Sequence, residues 1–221
     1  MLIVFDVDGT LIGGEEQDWP SFDAALFEVF GFHPDADFWE GMHEITGRAI
    51  IRRVAEVTGT DWTEKVEQRV RKLYLENLRR AAPFKGSVFQ PKPGAVEILE
   101  LLRRTPIFDV AIATGDFKES SQFKLASAEL DIKGLPYASS SDAAVRSEII
   151  ATVVERAGYR IVDAVYVGDG PWDHRACQQL EIPFVGTGRR TDRLVDLGTE
   201  FIAHDLQPST LLPVLQQILE L

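Results

Sequence analysis

The 221-residue sequence predicts an α/β fold, a doubly wound parallel sheet with an inserted α-helical cap domain. Three features predict it. Short continuous apolar runs, such as Leu2-Ile3-Val4-Phe5 and Ala164-Val165-Tyr166-Val167, have the pattern of strands buried on both faces. Strand-like and helix-like segments alternate through the second half, the order expected of a parallel sheet covered by helices. Between the first strand and Pro83 only helical periodicity is found.

In chain order, residues 2–6 read as the first strand, and Gly13-Gly14 follows as a flexible break. Phe22, Leu26, Val29 and Phe30 keep helical spacing up to Gly31. Ile50, Val54 and Val57 repeat at i, i+4 and i+7, with Gly59 where a C-terminal cap belongs. Asp61-Trp62-Thr63-Glu64 reads as a capping box with Asp61 as N-cap, leading into a stripe of Val66, Val70, Leu73 and Tyr74. The insert is therefore expected to be a bundle of about four helices without strands. Phe84 to Pro93, with one Gly and two Pro, reads as a linker. Pro93 opens a helix carrying Val96, Leu99 and Leu102. Asp109 to Thr114 is a second buried strand, and Ile149, Val153, Val154 and Ala157 mark a helix closed by Gly158. Residues 164–168 form a further strand and Pro183-Phe184-Val185 a short one. Phe201-Ile202-Ala203 reads as an edge strand before a C-terminal helix near 211–219. The expected division is a core of residues 1–13 and 84–221 and a cap of residues 14–83, hinged at Gly13-Gly14 and near Lys85-Gly86.

Composition narrows the function. Hydrophobic residues make up 45% of the chain, enough for a real core. A formal net charge of -12 argues against a nucleic acid or an anionic membrane as the main partner, yet leaves room for a local positive site that binds a small anion. The single cysteine, Cys177, permits neither an intramolecular disulfide nor a multi-cysteine metal site and reads as a buried small residue. No run approaches the roughly 18 apolar residues of a membrane span. Asp6 interrupts the apolar N-terminus, so no signal peptide is expected and the cytoplasm is the expected location. Nothing in the sequence signals an oligomeric state.

Ligands of open α/β sheets bind outside the carboxyl ends of the strands. The first strand ends in Asp6, Asp8 and Thr10, the second in Thr114-Gly115-Asp116, and the third in Gly168-Asp169-Gly170, with Asp173 four residues beyond Asp169. In an extended chain Asp6 and Asp8 would share one side, and two such acids on a buried strand need a cation or a proton between them. If the strands are neighbours, four carboxylates converge on one crevice. With no Cys and no suitable His pair, all-oxygen ligation points to magnesium, a cation that also bridges phosphate oxygens. A small phosphorylated metabolite is the expected partner.

These motifs, in this order and with helical material between the first two, resemble the haloacid dehalogenase-like superfamily of phosphohydrolases, in its helical-cap, phosphoglycolate phosphatase-like subgroup. The resemblance implies a Rossmann-like core and a magnesium-dependent phosphatase acting on a small phosphomonoester. By the same resemblance Asp6 is the nucleophile that forms an aspartyl phosphate, and Asp8 is the general acid and then the base. Magnesium would be held by Asp6, the backbone carbonyl of Asp8, Asp169 and Asp173. Thr114 and the Gly115 amide would bind the transferring phosphoryl group, with Thr10 also at the substrate. The family places a cation, usually lysine, between its second and third motifs. Here the sequence departs: Arg146, opening the helix Arg146-Ser147-Glu148-Ile149-Ile150, is the leading candidate, with Lys124 as the alternative and Lys118 and Lys133 behind them. Other expectations of this fold are a catalytically idle binding protein or a phosphotransferase such as a sugar-phosphate mutase. Asp8 argues against a dehalogenase, and the chain is too long for a receiver module.

Several polar residues have plainer readings. Asp116 reads as a helix N-cap partnered by Glu119. His174 reads as a surface or helix-packing residue, and His33, His43 and His204 lack metal spacing. Arg48 reads as a solvated helix-end arginine, and Trp19, Trp39 and Trp62 as packing for the insert.

Overall fold

The computed structural model describes residues 1–85, 88–189 and 191–220. The core is a six-stranded sheet with every pairing parallel. Its strands are β1 (Leu2–Phe5), β4 (Asp109–Thr114), β5 (Tyr137–Ser139), β6 (Ala164–Gly168), β7 (Phe184–Thr187) and β8 (Phe201–Ala203), in the order β5-β4-β1-β6-β7-β8. β1 lies between β4 and β6, with Phe5 opposite Ile112 on one side and Val167 on the other. The chain moves outward from β1 to β4 and β5, then crosses back to β6. The strand order thus reverses at β1, which is where a doubly wound sheet opens a crevice.

β1 is buried on both faces, and its side chains alternate between two packing layers. Ile3 and Phe5 enter one, Leu2 and Val4 the other. Each such side chain contributes roughly 1.5–3 kcal/mol of burial. The helices covering the sheet are α5 (Ala95–Arg104), α6 (Lys118–Ser127), α7 (Arg146–Arg156), α8 (Pro171–Leu180), α9 (Thr191–Asp196) and α10 (Pro208–Leu219).

The insert holds four helices, α1 (Glu15–Phe30), α2 (Ala36–Glu40), α3 (Gly47–Thr58) and α4 (Glu64–Ala81). α1 and α4 pack through Phe22, whose ring centroid lies 5.0 Å from that of Tyr74. The N-cap of α4 is Thr63, whose hydroxyl accepts from Val66 N at 3.2 Å, and not Asp61. Starting the helix at Thr63 leaves Trp62 outside it, with the Arg52 guanidinium 4.7 Å above its ring.

Two other expectations shift. The stretch read as a linker contains β3 (Gln90–Pro91), antiparallel to β2 (Ile12–Gly13), so the two segments joining insert and core are paired with each other. Two-residue strands are too short to show alternation. α5 begins at Ala95, after Gly94 at φ 85°, where a Cβ would lie 2.2 Å from Gln207 N. Its buried face is Ala95, Ile98, Leu99 and Leu102, with Val96 turned outward. Of the second expected hinge, Gly86 lies outside the described residues.

Candidate active site

Asp6 continues the ladder of β1, its N–H donating to Val167 O at 3.0 Å. The chain then turns at once: Leu11 N and Ile12 N both donate to Val7 O, and Gly9 N donates to Ile12 O. Asp6 and Asp8 therefore do not share a strand face. Their carboxylates go to two different clusters, because β1 ends at Phe5 and the chain turns at Val7, before the i, i+2 geometry is completed.

The first cluster is built by Asp6, Asp169 and Asp173, which offer ligand oxygens within 4.8 Å of one another. Glycines make room for it. Gly9 adopts φ 82°, and a Cβ there would stand 2.2 Å from Asp169 Oδ2. A Cβ at Gly168 would stand 2.6 Å from Asp173 Oδ2. Asp173 sits in the first turn of α8 and accepts from Gly170 N at 3.0 Å.

Arg146, the first residue of α7, faces this cluster. Its Nη1 lies 3.2 Å from Asp6 Oδ1 and 2.9 Å from Asp173 Oδ1, and its Nη2 donates to Ile45 O at 3.0 Å. A Cβ at Gly115 would meet that Nη2 at 2.2 Å, so glycine is required there for the arginine to pass. Burial pushes the Asp6 carboxyl well above its ordinary range, as does repulsion from Asp173, Asp169 and Asp8, while Arg146 opposes the shift. Burial also raises Asp173, again against Arg146. Three crowded carboxylates against one guanidinium leave negative charge in excess. All-oxygen donors without Cys or His fit a hard divalent cation such as magnesium.

The second cluster surrounds Lys124, which is wholly buried on α6. Its Nζ lies 2.7 Å from Asp8 Oδ1, 2.9 Å from Asp116 Oδ2 and 3.0 Å from Asp18 Oδ2. The Tyr74 hydroxyl also donates to Asp18. The Asp8 carboxyl is raised to about 7, chiefly by burial, with Asp18 and Asp116 also pushing it up and Lys124 pulling it down. Burial disfavours the lysine's charge, yet the three acids hold its pKa above the ordinary value. Asp116 is not the N-cap of α6. That place is taken by Phe117, and Asp116 Oδ1 instead accepts from Phe117 N at 2.6 Å and Ser120 Oγ at 2.7 Å.

Both clusters border one cavity of about 190 Å³, lined from the core by Asp6, Asp8, Thr114, Gly115, Asp116, Arg146 and Trp172. The insert supplies the rest of the wall, including Asp18, Trp19, Phe22 and Tyr74. Insert and core meet where Gly47 N donates to Gly115 O at 2.7 Å. Thr114 Oγ1 accepts from Asp116 N at 3.1 Å. Thr10 is buried but does not border this cavity.

Sequence reasoning missed Asp18 and Tyr74 and read Trp19 only as packing. A signal for Asp18 existed: it stands four residues before Phe22, on the face that carries Phe22 and Leu26. Arg48 is not a solvated helix-end charge. Its guanidinium pairs with the buried Glu67 at 3.0 Å and donates to Ser141 O. Trp39 packs on Trp19 with centroids 4.9 Å apart. His174 packs on the Phe184 ring at 5.7 Å, and Cys177 is buried. Among the described residues no helix is long and apolar enough to cross a membrane.

A family model described as haloacid dehalogenase-like hydrolase matches residues 1–180. No curated protein matches the sequence. Among solved structures, a hydrolase from Pseudomonas syringae is similar over 98% of each chain, at 21% identity and a TM-score of 0.76. A predicted phosphoglycolate phosphatase from Haemophilus somnus is similar over 94% of this chain and 95% of its own, at 17% identity and a TM-score of 0.67. A β-phosphoglucomutase from Clostridium difficile is similar over 100% of this chain and 99% of its own, at 12% identity and a TM-score of 0.73. At such identities the likeness is one of fold.

Proposed function

Because the chain belongs to the haloacid dehalogenase-like hydrolases, we propose that it is a magnesium-dependent phosphatase that hydrolyses a small phosphomonoester through an aspartyl phosphate. The observation that carries this reading is the division of labour between two neighbouring acids. Asp6 sits beside Arg146 in an oxygen-rich cluster, and Asp8 sits across the same cavity beside Lys124.

In this reading a carboxylate oxygen of Asp6 attacks phosphorus, and the bond from phosphorus to the leaving oxygen breaks. Asp8 gives its proton to that oxygen. A water then attacks the phosphorus of the aspartyl phosphate and the bond to Asp6 breaks. Asp8 takes the water's proton, and inorganic phosphate leaves. Arg146 holds Asp6 in place and faces the phosphoryl oxygens, with Thr114 and the Gly115 amide beside them. Lys124 lies on the Asp8 side, which favours Arg146 as the phosphoryl-binding cation. Asp6, Asp169, Asp173 and the Asp8 carbonyl would hold magnesium, which supplies charge neutralisation at the phosphoryl oxygens. Residues 14–83 serve as a cap over a core of residues 1–13 and 84–221, and shut water out of the cavity.

The test is phosphate release from a generic aryl phosphate, with and without magnesium, beside an Asp6→Asn variant. Magnesium-dependent release that the variant loses is the expected result. A folded protein that releases no phosphate from the aryl ester or from a panel of natural phosphoesters would remove the phosphatase reading. Phosphoryl transfer to a second sugar phosphate in place of water would identify a mutase.

A further inference from the structure

We propose that the substrate carries no anionic group besides the reacting phosphoryl, and that its leaving alcohol is uncharged and largely apolar. The inference rests on the phosphatase reading and concerns the part of the cavity that the phosphoryl group does not fill.

That part is walled by rings and aliphatic groups: Trp19, Phe22, Ile50 and Tyr74 from the insert, and Trp172 from the core. Besides Asp6 and Asp8, the acidic side chains that line the cavity are Asp18 and Asp116. Arg146 is the one cation among the described lining residues, and it faces Asp6 and Asp173. Three further cations among the described residues are already paired with acids inside the protein. Lys124 is shared by three carboxylates, Arg48 is held by Glu67, and Arg71 lies between Glu67 and Glu119. A carboxylate or a second phosphate on the leaving group would therefore lose its water without gaining a partner. A site built for such a group presents a free guanidinium fork or a set of free amide donors.

An ammonium group fits less well than a neutral one, despite the aromatic wall. Asp18 already accepts from Lys124 at 3.0 Å and from the Tyr74 hydroxyl, so its charge is paired. Size points the same way. About 190 Å³ shared between a phosphoryl group and its alcohol suits a single ring or a short alkyl chain. Phosphoglycolate, with its carboxylate, is excluded by this wall.

The test uses the full-length, magnesium-loaded protein and compares kcat/KM for phenyl phosphate, phosphoglycolate, a hexose bisphosphate and phosphocholine. Binding of the same four compounds to the Asp6→Asn variant is measured by calorimetry with magnesium present. The expected result is a preference for phenyl phosphate of about tenfold or more over each of the others, in both measurements. If nothing is turned over but the binding preference holds, the hydrolysis reading fails and the specificity stands. If phosphoglycolate, the bisphosphate or phosphocholine binds as well as phenyl phosphate or better, or if none of the four binds, the specificity is overturned whatever the turnover.

Discussion

Lys124 Nζ lies 2.7 Å from Asp8 Oδ1, and the lysine side chain has no exposed surface. Asp116 and Asp18 complete the set, so one ammonium joins the first turn after β1, the turn before α6 and helix α1 of the insert. A charge buried this deeply is tolerated only because its partners satisfy it. Replacing Lys124 with Met would leave three acids facing each other at the cavity wall with no cation between them. The expected loss is about 3–5 kcal/mol of unfolding free energy, the usual cost of breaking a buried ion pair on one side. Equilibrium urea denaturation measures it, and a loss under about 1 kcal/mol would show that these acids are neutral in the folded protein.

Arg146 uses both ends of its fork. Nη1 serves Asp6 and Asp173, while Nη2 donates to Ile45 O. Arg146→Lys would keep the charge and lose the second arm, since an ammonium is a point charge without planar reach. Turnover of the aryl phosphate should fall about tenfold in the lysine variant and by about 10²–10³ in Arg146→Ala, the scale of losing one preorganised donor. Steady-state kinetics on both variants checks the order. Equal activity in wild type and Arg146→Ala would remove Arg146 from the reaction.

Gly9→Ala probes the acid cluster without touching a charge. The backbone there has φ 82°, and the new methyl would need the space of Asp169 Oδ2, 2.2 Å away. Strain at that φ costs roughly 1–2 kcal/mol. The larger effect is expected on magnesium, because Asp169 must swing off Asp6 and Asp173. Calorimetric titration should show magnesium affinity falling by about tenfold or more, on the scale of disturbing a ligand's support.

What was legible in the sequence follows the range of each interaction. β1 announces itself because four adjacent apolar residues are needed where a strand is covered on both faces. β5, Tyr137–Ser139, does not, since three residues at a sheet edge carry neither a run nor an alternation. Asp6, Asp169, Asp173 and Arg146 were readable because each closes a strand or opens a helix, and parallel neighbours bring those ends together. Asp18, Tyr74 and Lys124 meet from three separate helices. Their contact exists only once the insert has docked, and no local pattern encodes it.

Asp142 offers a pH-dependent test away from the candidate site. Its Oδ1 lies 2.6 Å from Arg156 Nη2, and its Oδ2 accepts from Ser139 N at 2.9 Å, tying the end of β5 to α7. Burial alone would raise its carboxyl. The Arg156 hydrogen bond and the Ser139 amide outweigh that and bring it below the ordinary aspartate value of 3.8. A folded-state pKa below the unfolded one means that the unfolded chain binds the proton more tightly. The contribution is then fully present above the ordinary value and is lost as pH falls through the lowered one. Since the Arg156 side chain is 45% exposed, the pair should contribute only about 1 kcal/mol. The stability gap between wild type and Asp142→Asn, followed by urea denaturation, should stay level from neutral pH down to about 5 and shrink once the pH passes below the unfolded aspartate range. A gap that widened on acidification would mean that the Asp142 carboxylate destabilises this fold.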